Sequence, residues 1–219
     1  MLKQISIALF GLIAAATSHA ATPAAPVSPM KWQEGTRYFL VEPPQPTASG
    51  SKVEVLEVFS YACIHCAHFQ PTADTIKKEL PSYASFSYMP AIFTPQWEPY
   101  ARAFYTAQSL GVLDKSHQAL FDALHTQHKP LSDINALAAV YADYGIDPAK
   151  FISASTSFEV ESKMARSVAM VPKYGIDGTP SIIVNGKYRL NRGSAGSDEQ
   201  VVELVKYLVE KAHKETAAK

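Results

Sequence analysis

The sequence predicts an α/β fold interrupted by an all-helical insertion. Three observations predict it: a strand-like run that leads directly into Cys63-Ile64-His65-Cys66 and a helix, a stretch after Trp97 with apolar residues at helical spacing, and a return of strand pattern after Pro180 around Asn185-Gly186. Of the 219 residues, 47% are hydrophobic and 18% charged, which excludes a disordered polymer, a collagen-like repeat and a coiled coil. Lys+Arg 20 balance Asp+Glu 20 without long runs of one sign, so the electrostatic footprint of a nucleic-acid or anionic-membrane binder is missing. No nucleic-acid partner is expected.

Taken in order, Lys3 precedes a mostly apolar stretch from Ile5 to Ala16 and then Ser18-His19-Ala20, the layout of a secretory signal peptide. The apolar run is shorter than the ~20 residues of a membrane-spanning helix. Residues 1–20 are therefore expected to be a signal peptide cleaved near Ala20. Residues 21–35, which begin with the proline-rich ATPAAPVSP, are expected to be an extended leader. Arg37 to Glu42 reads as a strand ended by Pro43-Pro44, and Val53 to Phe59 as a buried central strand whose apolar part only Glu57 interrupts. A helix starts at the cysteines and runs to Leu80, and Pro71 is expected to bend or restart it, since it lacks an N–H. Ala84 to Tyr88 is the strand that returns beside the central one, completing a first α/β part over residues 36–96.

The helical insertion is expected over residues 97–174. Its helices read as Pro99 to Leu110, Lys115 to Gln127, Ser132 to Tyr144, Pro148 to Ala154 and Ser157 to Tyr174. Ser132 and Asp147 suit N-caps, Pro148 a first helical position, and Gly111 and Gly145 helix ends. The second α/β part, residues 175–214, holds Ser181 to Val184 and Lys187 to Leu190 around Asn185-Gly186, the signature of a type I′ hairpin. A final helix follows Ser197, which with Gln200 fits a capping box, and Val201, Leu204, Val205 and Leu208 repeat at helical spacing.

The cysteines carry the chemistry. A chain of this length needs no disulfide staples, yet the two cysteines of an exported protein stand only two residues apart. A thiol where a strand gives way to a helix is acidified by the unpaired N–H groups and the positive end of the dipole, which suits Cys63 to attack. Cys66 lies one turn deeper and suits a resolving role. His65, between them, can add a hydrogen bond or positive charge to the Cys63 thiolate. A purely structural disulfide is the plainer alternative, but so short a loop gains only about 2 kcal/mol. A zinc site built on Cys63, Cys66 and His65 or His68 lacks its remaining ligands, so no metal is expected. His117, His125, His128 and His213 lie in polar helical stretches and read as solvated surface. Gly178-Thr179-Pro180 opens a strand; the residue before a proline is extended, which leaves Thr179 free to pair with a passing peptide, though taken alone an ordinary loop-to-strand turn is the better reading.

Together these features resemble the DsbA family of exported thiol:disulfide oxidoreductases, most specifically in VLEVFSYACIHC at Val55 to Cys66 and GTPSIIVNGKYRL at Gly178 to Leu190. The resemblance implies a thioredoxin-like fold, a central mixed sheet flanked by helices, with the helical subdomain inserted. It makes Cys63 the nucleophile, Cys66 its buried partner, His65 the motif histidine, Pro180 a cis-proline facing the cysteines, and Thr179 a peptide contact. It makes Glu57 a buried acid serving proton transfer at Cys66. Ile64 stands where the most familiar motif has Pro, and Gln70-Pro71 where some members carry acids, expected to leave the rim less negative. Thr179 replaces a Val of some members, a choice shared with isomerases. The implied activity is the oxidation of reduced or unfolded exported proteins in the periplasm by a monomer, without a cofactor, reoxidised by a DsbB-type quinone-linked membrane oxidase. A reductase or isomerase of the same fold, or a non-catalytic peptide-binding protein, are the alternatives.

Overall fold

The structure, a computed structural model, describes residues 31–217. The expected signal peptide and the leader up to residue 30 lie outside the described residues. A five-stranded mixed sheet is formed by β1 (Phe39–Leu40), β2 (Val53–Phe59), β3 (Ala84–Pro90), β4 (Ser181–Val184) and β5 (Tyr188–Leu190), in the order β1-β5-β4-β2-β3. The centre is β2, parallel to β3 and antiparallel to β4, and every one of its residues is buried, as its near-continuous apolar run demands.

Among the described residues, eight α-helices cover the sheet and extend beyond it: α1 (Ile64–Glu79), α2 (Glu98–Ser109), α3 (Leu113–His125), α4 (Ile134–Tyr141), α5 (Pro148–Ala154), α6 (Phe158–Met170), α7 (Arg192–Ala195) and α8 (Asp198–Ala217). On one sheet face Val53 and Val55 pack with Phe69, Ala73 and Ile76 of α1 and the apolar stripe of α8. On the other, Leu56, Val58 and Ile183 meet Met170, Val171 and Tyr174. Helices α2 to α6 all fall between β3 and β4 in the chain and build their own core, which reaches Phe59, Tyr61 and Cys66 at the end of β2. The fold is thus thioredoxin-like with a helical insertion.

Local chemistry explains where the elements start and stop. Asn185 and Gly186 both have positive φ, 52° and 62°, as a type I′ turn requires, and Gly186 passes so close to the Gln45 carbonyl that a Cβ would collide with it. Asp147 caps α5 through Lys150 N–H, with Pro148 at the first helical position, and Ser157 caps α6 through Val160 N–H. Ser197 Oγ accepts from Gln200 N–H at 3.3 Å at the start of α8.

Several expectations are corrected. Only Phe39 and Leu40 of the stretch Arg37 to Glu42 join the sheet, because residues 33 to 38 form a turn in which Gly35 N–H donates to Tyr38 C=O at 2.8 Å, and Pro43 has no N–H to offer. The cap of α4 is Asp133, not Ser132; its carboxylate accepts from Asn135 and Ala136 N–H at 2.9 and 3.0 Å. Pro71 does not restart its helix. It sits inside α1, which runs through it because Phe69, Ala73 and Ile76 are anchored in the core on either side. The short α7 was not expected; Asn191 and Ser194 close it with a capping box. Among the described residues no helix is long and apolar enough to cross a membrane.

Candidate active site

The site forms where β2 ends and β4 begins. After Phe59 the chain makes a tight turn in which Cys63 N–H donates to Ser60 C=O at 3.1 Å and Ala62 N–H to Ser60 Oγ at 3.1 Å. Cys63 is the N-cap of α1, half-buried, and Cys66 lies in the first turn, fully buried; both are free thiols. Because β2 and β4 are neighbours, with Val58 opposite Ser181, the segment entering β4 lies beside the cysteines. Cys63 Sγ is 3.4 Å from the Thr179 carbonyl oxygen, and the Thr179–Pro180 peptide is cis. The structure therefore brings together Cys63, Cys66, Thr179 and Pro180.

The two thiols are electrostatically unlike. The Cys63 thiol is lowered to about 5, chiefly by the hydrogen bond its thiolate receives from Cys66. Burial opposes this, and the Thr179 side chain and the backbone N–H groups of Cys66 and His65 add to it. Thr179 Oγ1 is buried and makes no hydrogen bond of ordinary geometry, so no other group engages its hydroxyl. Burial pushes the Cys66 thiol up, aided by its bond to Cys63 and by the charges of Cys63 and Glu57. Glu57 is wholly buried behind the pair, neither carboxylate oxygen has a hydrogen-bond partner, and burial raises it to about 8, with Lys77 opposing and Asp74 and Cys63 reinforcing.

Ile64 and His65 point outward, Ile64 being 40% exposed. His65 lines a cleft of about 350 Å³ with His68, Phe69, Thr179, Pro180 and Arg192. Gln70 is not on the rim, as its position suggested, but buried, donating to Cys66 C=O and accepting from Tyr88 O–H, both at 3.4 Å. Among the described residues no group of three or more His, Cys, Asp or Glu converges as metal ligands would.

Two of the histidines read as solvated are not. His117 is buried among Phe59, Tyr61, Tyr88 and Phe121, its Nδ1 2.7 Å from Tyr61 Oη, and burial holds it neutral, lowered to about 3. His125 is half-buried, with Nε2 2.7 Å from the Tyr61 carbonyl. Together they clamp the residue two before Cys63. His117, Phe121 and His125 recur four apart, a one-face helical signal, but the polar residues around them masked it. His128 and His213 are exposed, as expected. Lys77, Tyr88 and Arg192 also escaped sequence reasoning, since nothing local marks them.

Comparison with known proteins adds to this geometry. The model of the DSBA-like thioredoxin domain family matches residues 96–209. The thiol:disulfide interchange protein DsbA of Pseudomonas aeruginosa is 37% identical over 177 residues, 81% of this chain and 84% of that protein. That of Azotobacter vinelandii is 37% identical over 204 residues, 92% and 95% of the two chains. A crystal structure of Pseudomonas aeruginosa DsbA superposes with a TM-score of 0.80 at 35% identity, covering 86% of this chain and 98% of that one. With an asymmetric thiol pair at the mouth of its central strand and relatives that match nearly end to end, the chain belongs to the DsbA family of thioredoxin-fold proteins.

Proposed function

We propose that this thiol:disulfide oxidoreductase introduces disulfide bonds into reduced or unfolded exported proteins through Cys63 and Cys66. A substrate thiolate attacks Cys63 of the Cys63–Cys66 disulfide; the S–S bond breaks and Cys66 leaves with the electron pair. A second substrate thiolate attacks the substrate sulfur of the mixed disulfide and expels Cys63 as a thiolate. The substrate is oxidised and the enzyme leaves as the dithiol. Thr179 and Pro180 hold the substrate peptide beside Cys63, His65 and Ile64 tune the pair from the rim, and Glu57 exchanges a proton with Cys66. The protein works as a monomer in the periplasm, its signal peptide removed near Ala20, and a DsbB-type quinone-linked membrane oxidase restores the disulfide.

The observation that carries this reading is the opposed acidity of the two thiols. A Cys63 thiol lowered to about 5 is a good leaving group and a stable product, which favours giving the disulfide away. Equilibration of the mature protein with a glutathione redox buffer, read by thiol trapping, is expected to give a potential well above the glutathione poise. A potential well below it would replace the oxidase with a reductase. Cys63→Ala is expected to abolish disulfide transfer, whereas Cys66→Ala accumulates mixed disulfides with substrates; a fully active Cys63→Ala protein would leave only peptide binding.

A further inference from the structure

In the parallel register of β2 and β3, the unpartnered Glu57 stands opposite Tyr88. Tyr88 is not bare on its outer side. Lys77, in the last turn of α1, holds its ammonium 4.5 Å from the Tyr88 ring centroid and 5.3 Å from that of Phe86, with Asp74 at 3.2 Å. Through Gln70, the Tyr88 hydroxyl is also linked to the Cys66 carbonyl. A cation at the solvent edge thus lies over the aromatic ring that stands opposite the buried carboxyl in the sheet, and the same ring's hydroxyl is linked to the deeper cysteine.

We propose that Lys77 is a positioning residue for proton exchange between Glu57 and Cys66: held over the Tyr88 and Phe86 rings, its ammonium supplies the counter-charge that lets Glu57 ionise inside the protein. The inference rests on the Cys66–Glu57 exchange proposed above. A buried carboxylate with no hydrogen bond is unfavourable unless an opposite charge lies close, and cation–π contact keeps a flexible lysine in place. The groups that bear on Glu57 are Lys77, Asp74, Cys63 and Cys66 from α1 and Tyr88 from β3. Lys77 favours the charged carboxylate, while burial, Asp74 and Cys63 oppose it. From α3, His117 rests against the Tyr88 ring at 4.4 Å between centroids and is neutral, through burial and then the Lys77 charge.

The step balances without an added oxidant. When a substrate thiolate attacks Cys63, Cys66 departs as a thiolate, and the Glu57 carboxyl gives it a proton and becomes a carboxylate facing Lys77. In reverse, the carboxylate takes the Cys66 proton as Cys66 attacks the Cys63 sulfur of a mixed disulfide and expels the partner thiolate. The test follows the Glu57 carboxyl by carbon NMR titration, and the pH profile of the rate at which Cys66 closes a Cys63–glutathione mixed disulfide. Lys77→Met is expected to move the Glu57 titration upward by about one pH unit and to carry the closure profile with it. Lys77→Arg is expected to restore both. Glu57→Gln is expected to remove the limb of the profile that Glu57 causes. A Glu57 titration that Lys77→Met leaves in place overturns the role of Lys77 alone; a closure profile unchanged by Glu57→Gln overturns the exchange itself.

Discussion

Between about pH 5 and pH 8 the folded, reduced protein carries Cys63 as a thiolate and Glu57 as a neutral acid. In the unfolded chain both are reversed, since an ordinary thiol is protonated and an ordinary carboxyl ionised across that range. Folding therefore releases a proton at Cys63 and takes one up at Glu57. The depressed Cys63 adds stability that is present above the unfolded thiol range and is lost as pH falls through about 5. The raised Glu57 adds stability that is present below the unfolded carboxyl range and is lost as pH rises through about 8. The two slopes oppose each other. Relative to wild type, reduced Glu57→Gln is expected to gain stability with rising pH over this window and reduced Cys63→Ala to lose it, as urea denaturation at stepped pH will measure. Equal slopes in all three proteins would mean that neither group titrates as the buried site requires. The pair Cys63 and Cys66 was legible in the sequence, because a thiol at a strand-to-helix junction has few uses. The charge state of Glu57 was not, because it is set first by complete burial and then by the charges of Lys77, Asp74 and Cys63, which only the fold gathers around it.

Among the elements, the β4–β5 hairpin was the most legible, since Asn185-Gly186 dictates its own backbone. Gly186 does more than turn, however: its bare Cα lies against the Gln45 carbonyl of the segment that leads to β2, and Gln45 N–H donates to Gly186 C=O at 2.8 Å. Gly186→Ala must add a methyl where backbone already stands and hold alanine at positive φ, a loss expected to reach about 1–3 kcal/mol or more by denaturant titration. A neutral result would mean that the 43–46 segment yields freely. The extent of β1 and the place of His117 were illegible for a common reason. Residues 33 to 38 and the polar face of α3 have ordinary local propensities, and tertiary partners decide their fate: the turn closed on Tyr38 in one case and the Tyr61 hydroxyl in the other.

At the scale of the molecule, the helical insertion is tied together apart from the thiols. Arg102 of α2 donates to the Ser155 carbonyl behind α5 at 2.8 Å and pairs with Glu98 at 2.9 Å and with Glu161 of α6. Arg102→Ala leaves a largely buried carbonyl without its charged donor and is expected to destabilise the protein by about 1.5–3 kcal/mol while the alkylation rate of Cys63 stays unchanged. A matching loss of thiol reactivity would show that the insertion sets the site's chemistry as well as covering it. The order of strands has a consequence of its own. Cys63 meets the Thr179 carbonyl 116 residues later in the chain, across an insertion that is synthesised in between. Until the second α/β part is made and β4 docks beside β2, the cysteines lack the Thr179 and Pro180 side of their site. The peptide-facing wall of the site is thus completed last, after the whole insertion has been made.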